Sequence, residues 1–442
     1  MRRVLLLLAL VPALLLPQGS YAQNAQRRID VSGRWFVNFD FHGTPVTFSL
    51  VLMQEGDKLT GNLQEIKLEG GLQGNSINFL AKSEDATFDC KGIVQGNTIS
   101  GTLTYANAAN LEPPSTHPFT ATLVPQRTSA APQRHEFVPT VFYRQFSAAN
   151  KPVLTVSPGD TIHTTTVDAG GSDEKGITRS LGGNPQTGPF YIETAGPGDT
   201  LVVHLTRIRL NRGWAISDDA LVGRALDSEL AVKMKDGGKP VRWHLDTQRG
   251  IATPEKPLEH LTRYTVPLLP MLGCVAVAPD SMQAAPPTGD SGPWGGNMDF
   301  NEIVEGATVY LPISVPGALL YVGDGHAVQG DGELNGNALE TSMDVEFTVD
   351  VIPGKRIIGP RVESATEIMA MGLGGSMDDA FRAATSSMAQ WLTEDYELTP
   401  SEVAQVLGTA AQYKVSEVAD RDAGIVLKIK KELVQPLVPA AK

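Results

Sequence analysis

The sequence predicts a mainly β protein (α+β): two β-rich units followed by a C-terminal pair of helices. Three observations carry this. From residue 30 to 125, short segments alternate apolar and polar residues between Gly-containing reversals. From about residue 137 to 358, longer alternating segments recur with frequent Gly and Pro. Beyond that, apolar residues fall at the spacing of a helix. At 442 residues the chain also exceeds what a single hydrophobic core usually supports.

Residues 1–22 belong to neither unit. Arg2 and Arg3 precede the apolar run VLLLLALVPALLL, and SYA before Gln23 has the small-x-small form of a cleavage site. This predicts a secretory signal peptide and an exported chain, periplasmic or extracellular. No later run reaches the roughly 18 apolar residues of a membrane helix, so no membrane insertion is expected after cleavage. Losing Arg2 and Arg3 takes the net charge from −13 to −15. An acidic chain of this kind argues against nucleic acid and offers anionic lipid no basic patch.

Residues 23–125 read as a small antiparallel β-domain. GRWFVNFDF, TFSLVLMQEGDKLTGNL, GGLQGNSINFLAK and KGIVQGNTISGTLTY reverse at EGD, QGN and QGN. GLQGNSINF and GIVQGNTIS nearly repeat, as stacked hairpins of one meander would. SGRWFV followed by QEGDKLTG resembles lipocalin-like small barrels, and a structural or docking module is preferred here to a ligand-holding one. Residues 126–136, rich in Pro, Ser, Thr and Ala, form a linker.

Residues 137–442 form the second unit. Its strand candidates include VLTVSPGDTIHTTTVDA, GPFYIETAGPGDTLVVHLTRIRL, MLGCVAVAP, ATVYLPI, ALLYVG and MDVEFTVDVI. Two of these contain Pro-Gly-Asp-Thr, a tight turn feeding a strand, in which Asp160 and Asp199 bond their own backbone. The helices are MDDAFRAATSSMAQWLTEDY, with Ser376 as N-cap, and TPSEVAQVLGTAAQY, with Thr399 as N-cap, Pro400 at N1 and Glu402 at N3. Cys90 and Cys274 fall in different units and are read as small buried hydrophobes, a bridge between them being left open.

The phrases NPQTGPFYIETAGPGDTLVV, LLPMLGCVAVAP, GPWGGNMDFNEIVEGATVYLPISVPGALLYVGDGHAVQGDGE and NALE, with the helical tail through YKVSEVAD, resemble the acetamidase/formamidase family from about residue 136 to 432. The resemblance implies hydrolysis of the C–N bond of a small linear amide, releasing ammonia and a carboxylate. It also implies metal dependence and a homo-oligomer. The helical tail, which must bury an apolar face against something, adds to that last expectation.

Amide hydrolysis needs a polarised carbonyl, an activated water or nucleophile, and an acid for the departing amine. No G-x-S-x-G elbow supplies a serine. The stretch YVGDGHAVQGDGELNGNALE instead sets Asp324, His326, Gln329, Asp331 and Glu333 among glycines at a strand end, with Glu340 following. Strand alternation would turn Asp324 and His326 one way, and Asp331 with Glu333 likewise. GGNMDF adds Asn297 and Asp299, and Asp168 ends a strand before a glycine loop. The expected roles are metal ligation by Asp168, Asp299, Asp324 and His326, acid–base work by Glu333, Asp331 and Glu340, and substrate contacts from Asn297, Gln329 and Glu193. One histidine with carboxylates suits a divalent cation, Zn²⁺ or similar. The alternative is a secreted binding or structural protein that kept the scaffold without catalysis. A hydrolase of a cyclic amide is a third reading.

Overall fold

The structure, a computed structural model, describes residues 29–109, 113–125, 131–234 and 237–437. The signal-peptide reading of residues 1–22 and most of the linker's first half lie outside them.

Eight antiparallel strands, from Gly33–Phe41 to Ser115–Leu123, form a meander that closes into a barrel. Closure comes from pairing the first strand with the last, Trp35 opposite Leu123 and Phe39 opposite Phe119. The three reversals read from the sequence are two-residue hairpins, in which Glu55 pairs Lys58, Gln73 pairs Ser76 and Gln95 pairs Thr98. Alternate residues point inward, and Trp35, Leu50, Leu59, Phe79, Cys90 and Ile99 fill the interior. The inside of the barrel is therefore a packed core, as a structural or docking module would have. Cys90 and Cys274 are both buried and unbridged.

The rest of the chain forms two facing sheets. One has nine strands and includes Thr200–Leu210 and Met343–Ile352; the other has twelve and includes Met271–Ala276 and Leu320–His326. Their inner faces meet in one apolar core, where Leu201, Val203, Val345 and Phe347 pack against Leu272, Val275, Leu320 and Val322. Asp344 and Glu346 take the alternate, outward positions of the same strand.

The helices Met377–Asp395 and Pro400–Ala410 lie on the outer face of the nine-stranded sheet. Ala380, Ala384, Met388 and Leu392 pack there on Ile368, Ala370, Leu427 and Ile429. Ser376 caps the first helix by accepting from the Asp379 N–H, and Thr399 and Glu402 form a reciprocal capping box on the second. Two expectations change here. The inner apolar face of the helices is covered by this chain's own sheet, so burying it needs no second copy of the chain. The tail also does not stay helical: Gln412–Glu417 and Ala423–Lys430 are paired strands at the sheet edge, because QYKVSE and AGIVLKIK alternate with a period of two.

The barrel grips the body at the second Pro-Gly-Asp-Thr turn. Asp199, 1 % exposed, accepts from the Gly196 N–H (3.0 Å), the Gly354 N–H (2.8 Å) and the Arg34 guanidinium of the barrel (2.6 Å). Phe36 lies on Gly196, where a Cβ would stand 2.1 Å from the ring, so only glycine fits. Glu65 and Arg356 add a peripheral ion pair. Burial raises the Asp199 carboxyl above its ordinary range despite the pull of Arg34. Asp160 plays the same turn role, accepting from Ser157 (3.0 Å) and Gln133 (2.8 Å). The prediction is that Asp199→Asn costs roughly 2–3 kcal/mol, because one buried acceptor is lost and Arg34 is left unpaired. Thermal melts should show this drop, while turnover stays within about twofold of the unsubstituted chain.

Candidate active site

The strand Leu320–His326 is buried along its whole length. It pairs with Met271–Ala276 on one side, Met271 opposite His326 and Cys274 opposite Gly323. At its C-terminal end it pairs with Glu340–Thr341, so that Glu340 stands opposite His326. Gly295–Asn297 is the next strand out, with Asn297 opposite Cys274. The loop between His326 and Glu340 is stitched to the C-terminal hairpin, the Gly332 N–H donating to the Ser416 carbonyl (3.1 Å) and the Val418 N–H to the Gly332 carbonyl (3.0 Å).

The hydrogen bonds around His326 assign its tautomer. Gln329 Nε2 donates to the carbonyls of Asp299 (2.5 Å) and Ser416 (3.2 Å), so its Oε1 must face the ring. That oxygen is 2.8 Å from His326 Nδ1, which therefore carries a proton. In a neutral ring the lone pair then lies on Nε2. This atom is 3.0 Å from Glu340 Oε1 and 3.4 Å from Asp324 Oδ1, yet it makes no aligned hydrogen bond. A lone pair facing two carboxylates repels them unless a proton or a metal cation sits between. Donors about 2.1 Å from one ion stand about 3.0–3.4 Å apart in octahedral or tetrahedral arrangement, as these do.

Other buried atoms point to the same place. Asp299 Oδ1, Glu340 Oε2 and Glu417 Oε2 have no hydrogen-bond partner. Three sets offer donor atoms within 4.8 Å of one another: Asp299, His326 and Glu333; Asp324, His326 and Glu340; and Asp299, Glu417 and Asp420. Such donors fit a divalent cation, and Gln329 is the outer partner that ligating histidines require.

The backbone is strained where it presents these groups. Asp299 (φ 42°), Asp324 (φ 58°) and Glu333 (φ 47°) are left-handed. Such conformations cost about 1–3 kcal/mol each and persist only where the surroundings enforce them. The glycines of the stretch allow close approach more than positive φ, a Cβ on Gly323 standing 2.4 Å from Gln186 Oε1 and one on Gly325 2.3 Å from Met343 Cγ. Among Gly323, Gly325, Gly330 and Gly332, only Gly332 has positive φ. The glycine that makes room for the acids themselves is Gly273, whose added Cβ would stand 2.3 Å from Asp324 Oδ2 and 2.4 Å from Asp299 Oδ1.

Packing so many acids together raises their proton affinity. Burial, with Glu333 and Asp324 nearby, holds the Asp299 carboxyl well above the usual range. Burial pushes Glu333 up to about 8, Glu340 to about 7, Glu417 to about 9 and Asp420 to about 6. Burial opposes charging of His326, but Glu340 and Asp324 outweigh it and lift the imidazole well above its ordinary value.

A cavity of about 570 Å³ opens onto the cluster, lined by Asp324, Glu333, Glu340 and Asp420 on one side and by Asn184, Trp214 and Ile216 on others. Asp299, Asp324, His326, Glu333 and Glu340 are thus brought together. Asp168 lines the same cavity but is committed: Oδ2 takes the buried Arg212 guanidinium (2.7 Å) and Oδ1 the Ser172 N–H (2.8 Å). It stands outside the three donor sets. Asn297 and Gln329 position their neighbours, Asn297 Nδ2 donating to Asp299 Oδ2 (2.5 Å) and Asp420 Oδ2 (2.7 Å). Two expected residues are not brought in. Asp331 turns outward to Lys414 (3.2 Å), because the left-handed backbone at Glu333 breaks the alternation that would have paired them. Glu193 is exposed at a strand end, bonded to Ser157 (2.7 Å). Sequence reasoning missed Arg212, Asn184, Glu417 and Asp420; for the last two, the acids in KVSEVADRD between alternating segments were the signal.

Residues 248–370, which hold every donor of the two His326 sets, match the model of the Acetamidase/Formamidase family. Eighty residues are 38 % identical to the acetamidase of Mycolicibacterium smegmatis, an alignment spanning 18 % of this chain and 19 % of that one. Among solved structures, acetamidase from Yersinia enterocolitica aligns with TM-score 0.60 and 27 % identity over 70 % of this chain and 95 % of its own. An acetamidase from Bacillus halodurans aligns with TM-score 0.59 and 26 % identity over 69 % and 99 %. Residues 248–370 thus match the model of this family, and the two-sheet body around them has the fold of these solved acetamidases.

Proposed function

We propose that the chain hydrolyses the C–N bond of a small linear amide, giving a carboxylate and ammonia. The observation that carries this is His326 Nε2, buried, unpartnered and flanked by Asp324 and Glu340, which themselves line the cavity. The family match and the acetamidase structures support the substrate class. Asp324, His326 and Glu340, with Asp299 and Glu333 beside them, would hold a divalent cation of the Zn²⁺ type. When bound, such an ion polarises a carbonyl and acidifies water.

The side chains then divide the remaining work. Glu333 faces the cavity with Oε1 fixed by the Ala338 N–H (2.9 Å). Its raised proton affinity suits a group that takes a proton from the attacking water and hands it to the amide nitrogen as the C–N bond breaks. One water is consumed, its oxygen joins the carbonyl carbon, and ammonia departs. Gln329 keeps His326 in the tautomer that presents Nε2, and Asn297 holds Asp299. Arg212 neutralises Asp168, so that this wall adds no further charge. Export is supported by the arginine-plus-apolar pattern of residues 1–22, and homo-oligomer formation by likeness to the family alone. No helix among the described residues is long and apolar enough to cross a membrane.

Three outcomes test this. The purified full chain, given formamide, acetamide and propionamide, should release ammonia, and a chelator should abolish that release until Zn²⁺ or Mn²⁺ is restored. Absence of turnover on all three after restoration sinks the proposal. His326→Ala and Glu333→Gln should each lower kcat/KM on the order of 10²–10⁴-fold while melting as cooperatively as the unsubstituted chain. Asp331→Asn should change it less than about threefold. The third outcome concerns pH. Folded Glu333, Glu340 and Glu417 hold protons up to about 8, about 7 and about 9, whereas the unfolded chain releases them near the usual 4.5. The folded state therefore binds more protons, and stability in chelator should fall as pH rises from about 5 to about 9. Melting temperatures measured across that range should decline, with added divalent cation recovering most at the alkaline end. A flat profile in chelator would contradict the assignment.

A further inference from the structure

We infer that a second cation seat lies beside the His326 centre, made by Glu417 and Asp420, with Asp299 shared between the two. The inference rests on reading the His326 centre as a cation site. Asp299 belongs to the donor set with His326 and Glu333 and to the set with Glu417 and Asp420, each with its atoms within 4.8 Å of one another. A carboxylate held in common is the usual link of two-metal hydrolytic sites, whose ions stand about 3.5–4 Å apart.

The hydrogen bonds leave this seat open in a consistent way. Each carboxylate is anchored through one oxygen. Asn297 Nδ2 donates to Asp299 Oδ2 (2.5 Å) and to Asp420 Oδ2 (2.7 Å), while the Ser291 hydroxyl donates to Glu417 Oε1 (3.3 Å). The second oxygens Asp299 Oδ1 and Glu417 Oε2 are buried with no partner, on residues that are 0 % exposed. Leaving such an atom unpaired costs about 1–3 kcal/mol, and more when charged. The C-terminal hairpin is stitched to the loop at Gly332, so Glu417 is held in place by backbone rather than by chance side-chain packing.

Charge balance points the same way. Asp299, Asp324, Glu333, Glu340, Glu417 and Asp420 cluster here. The nearby cationic side chains are spent elsewhere, Arg212 on Asp168 and Arg421 on Asp290. One divalent ion would leave a formal charge of about −4 when all six are ionised, and two would leave about −2. The second seat is built from carboxylate oxygen alone, which suits a hard divalent ion such as Mn²⁺, Mg²⁺ or Ca²⁺. The first seat, with its imidazole nitrogen, suits Zn²⁺ as well.

Mn²⁺ separates the outcomes. Chelator-stripped full chain is dialysed against Mn²⁺, and bound metal is counted by mass spectrometry and examined by electron paramagnetic resonance. The expected result is about two Mn²⁺ per chain with an exchange-coupled spectrum, as a shared carboxylate produces. Glu417→Gln should drop the count to about one per chain and turn the spectrum into that of an isolated ion, with Asp420→Asn doing the same. Saturation of the unsubstituted chain near one Mn²⁺, two Mn²⁺ without coupling, or two coupled Mn²⁺ retained in folded Glu417→Gln each overturns the inference. Should Glu417→Gln fail to fold by circular dichroism, the count and spectrum of the unsubstituted chain decide. Coupled Mn²⁺ without amide turnover would refute the proposed activity and leave the second seat standing; turnover with a single bound ion would do the reverse.

Discussion

The constraint on which this structure depends is buried negative charge around one imidazole. Asp299, Asp324, Glu333, Glu340 and Glu417 are all at most 7 % exposed, and burial raises the proton affinity of at least four of them. Isolated carboxylates do not survive such an environment ionised unless something positive compensates them. A hydrophobic core of ordinary make-up would exclude them. Here the two sheets build that core elsewhere and leave one polar end, where the strand Leu320–His326 finishes.

Holding the acids there takes rigid support from several parts of the chain. Asn297 pins Asp299 and Asp420, Gln329 orients His326, and the Ala338 N–H fixes Glu333. Three of the acids or their strands carry left-handed backbone, a strain that packing over-determines rather than relieves. The C-terminal helices contribute at one remove. By packing on Ala423–Lys430 they fix the hairpin whose other strand ends in Glu417. This is a physical reason for the helical tail to accompany the site, and it does not require a second copy of the chain.

Much of this was legible in the sequence, for identifiable reasons. The barrel hairpins were written in EGD and QGN, and the capping box in TPSE, because local backbone chemistry decides such features. Asp324, His326, Glu333 and Glu340 stood out because acids and a histidine among glycines at a strand end have no structural use of their own. Asp331 was placed with them by alternation, which fails where Glu333 adopts φ 47°. Asp168 gave no sign of its partner, since Arg212 lies 44 residues on, in the bend between two strands, and only tertiary packing joins them. Glu417 and Asp420 were hidden for a simpler reason. Their segment follows two well-marked helices, and continuing the helical reading concealed the alternation of the hairpin.

The barrel adds to this arrangement without entering it. No residue lining the cavity lies before Asp168, so the cavity is walled by the body alone. Yet the connection is direct in another sense. Gln186–Ile192 pairs with the site strand, Thr187 opposite Val322, and its far end leads within a few residues into the turn gripped by Arg34 and Phe36. Six strand steps of about 3.3 Å put Ile192, the strand end next to that turn, roughly 20 Å from Gln186, which abuts Gly323 beside Asp324. A clamp at one end of a strand restrains its other end only through the stiffness of the sheet between them, and this sheet is packed on both faces along that length. The barrel is therefore placed to steady the scaffold of the site, while its own interior is a packed core.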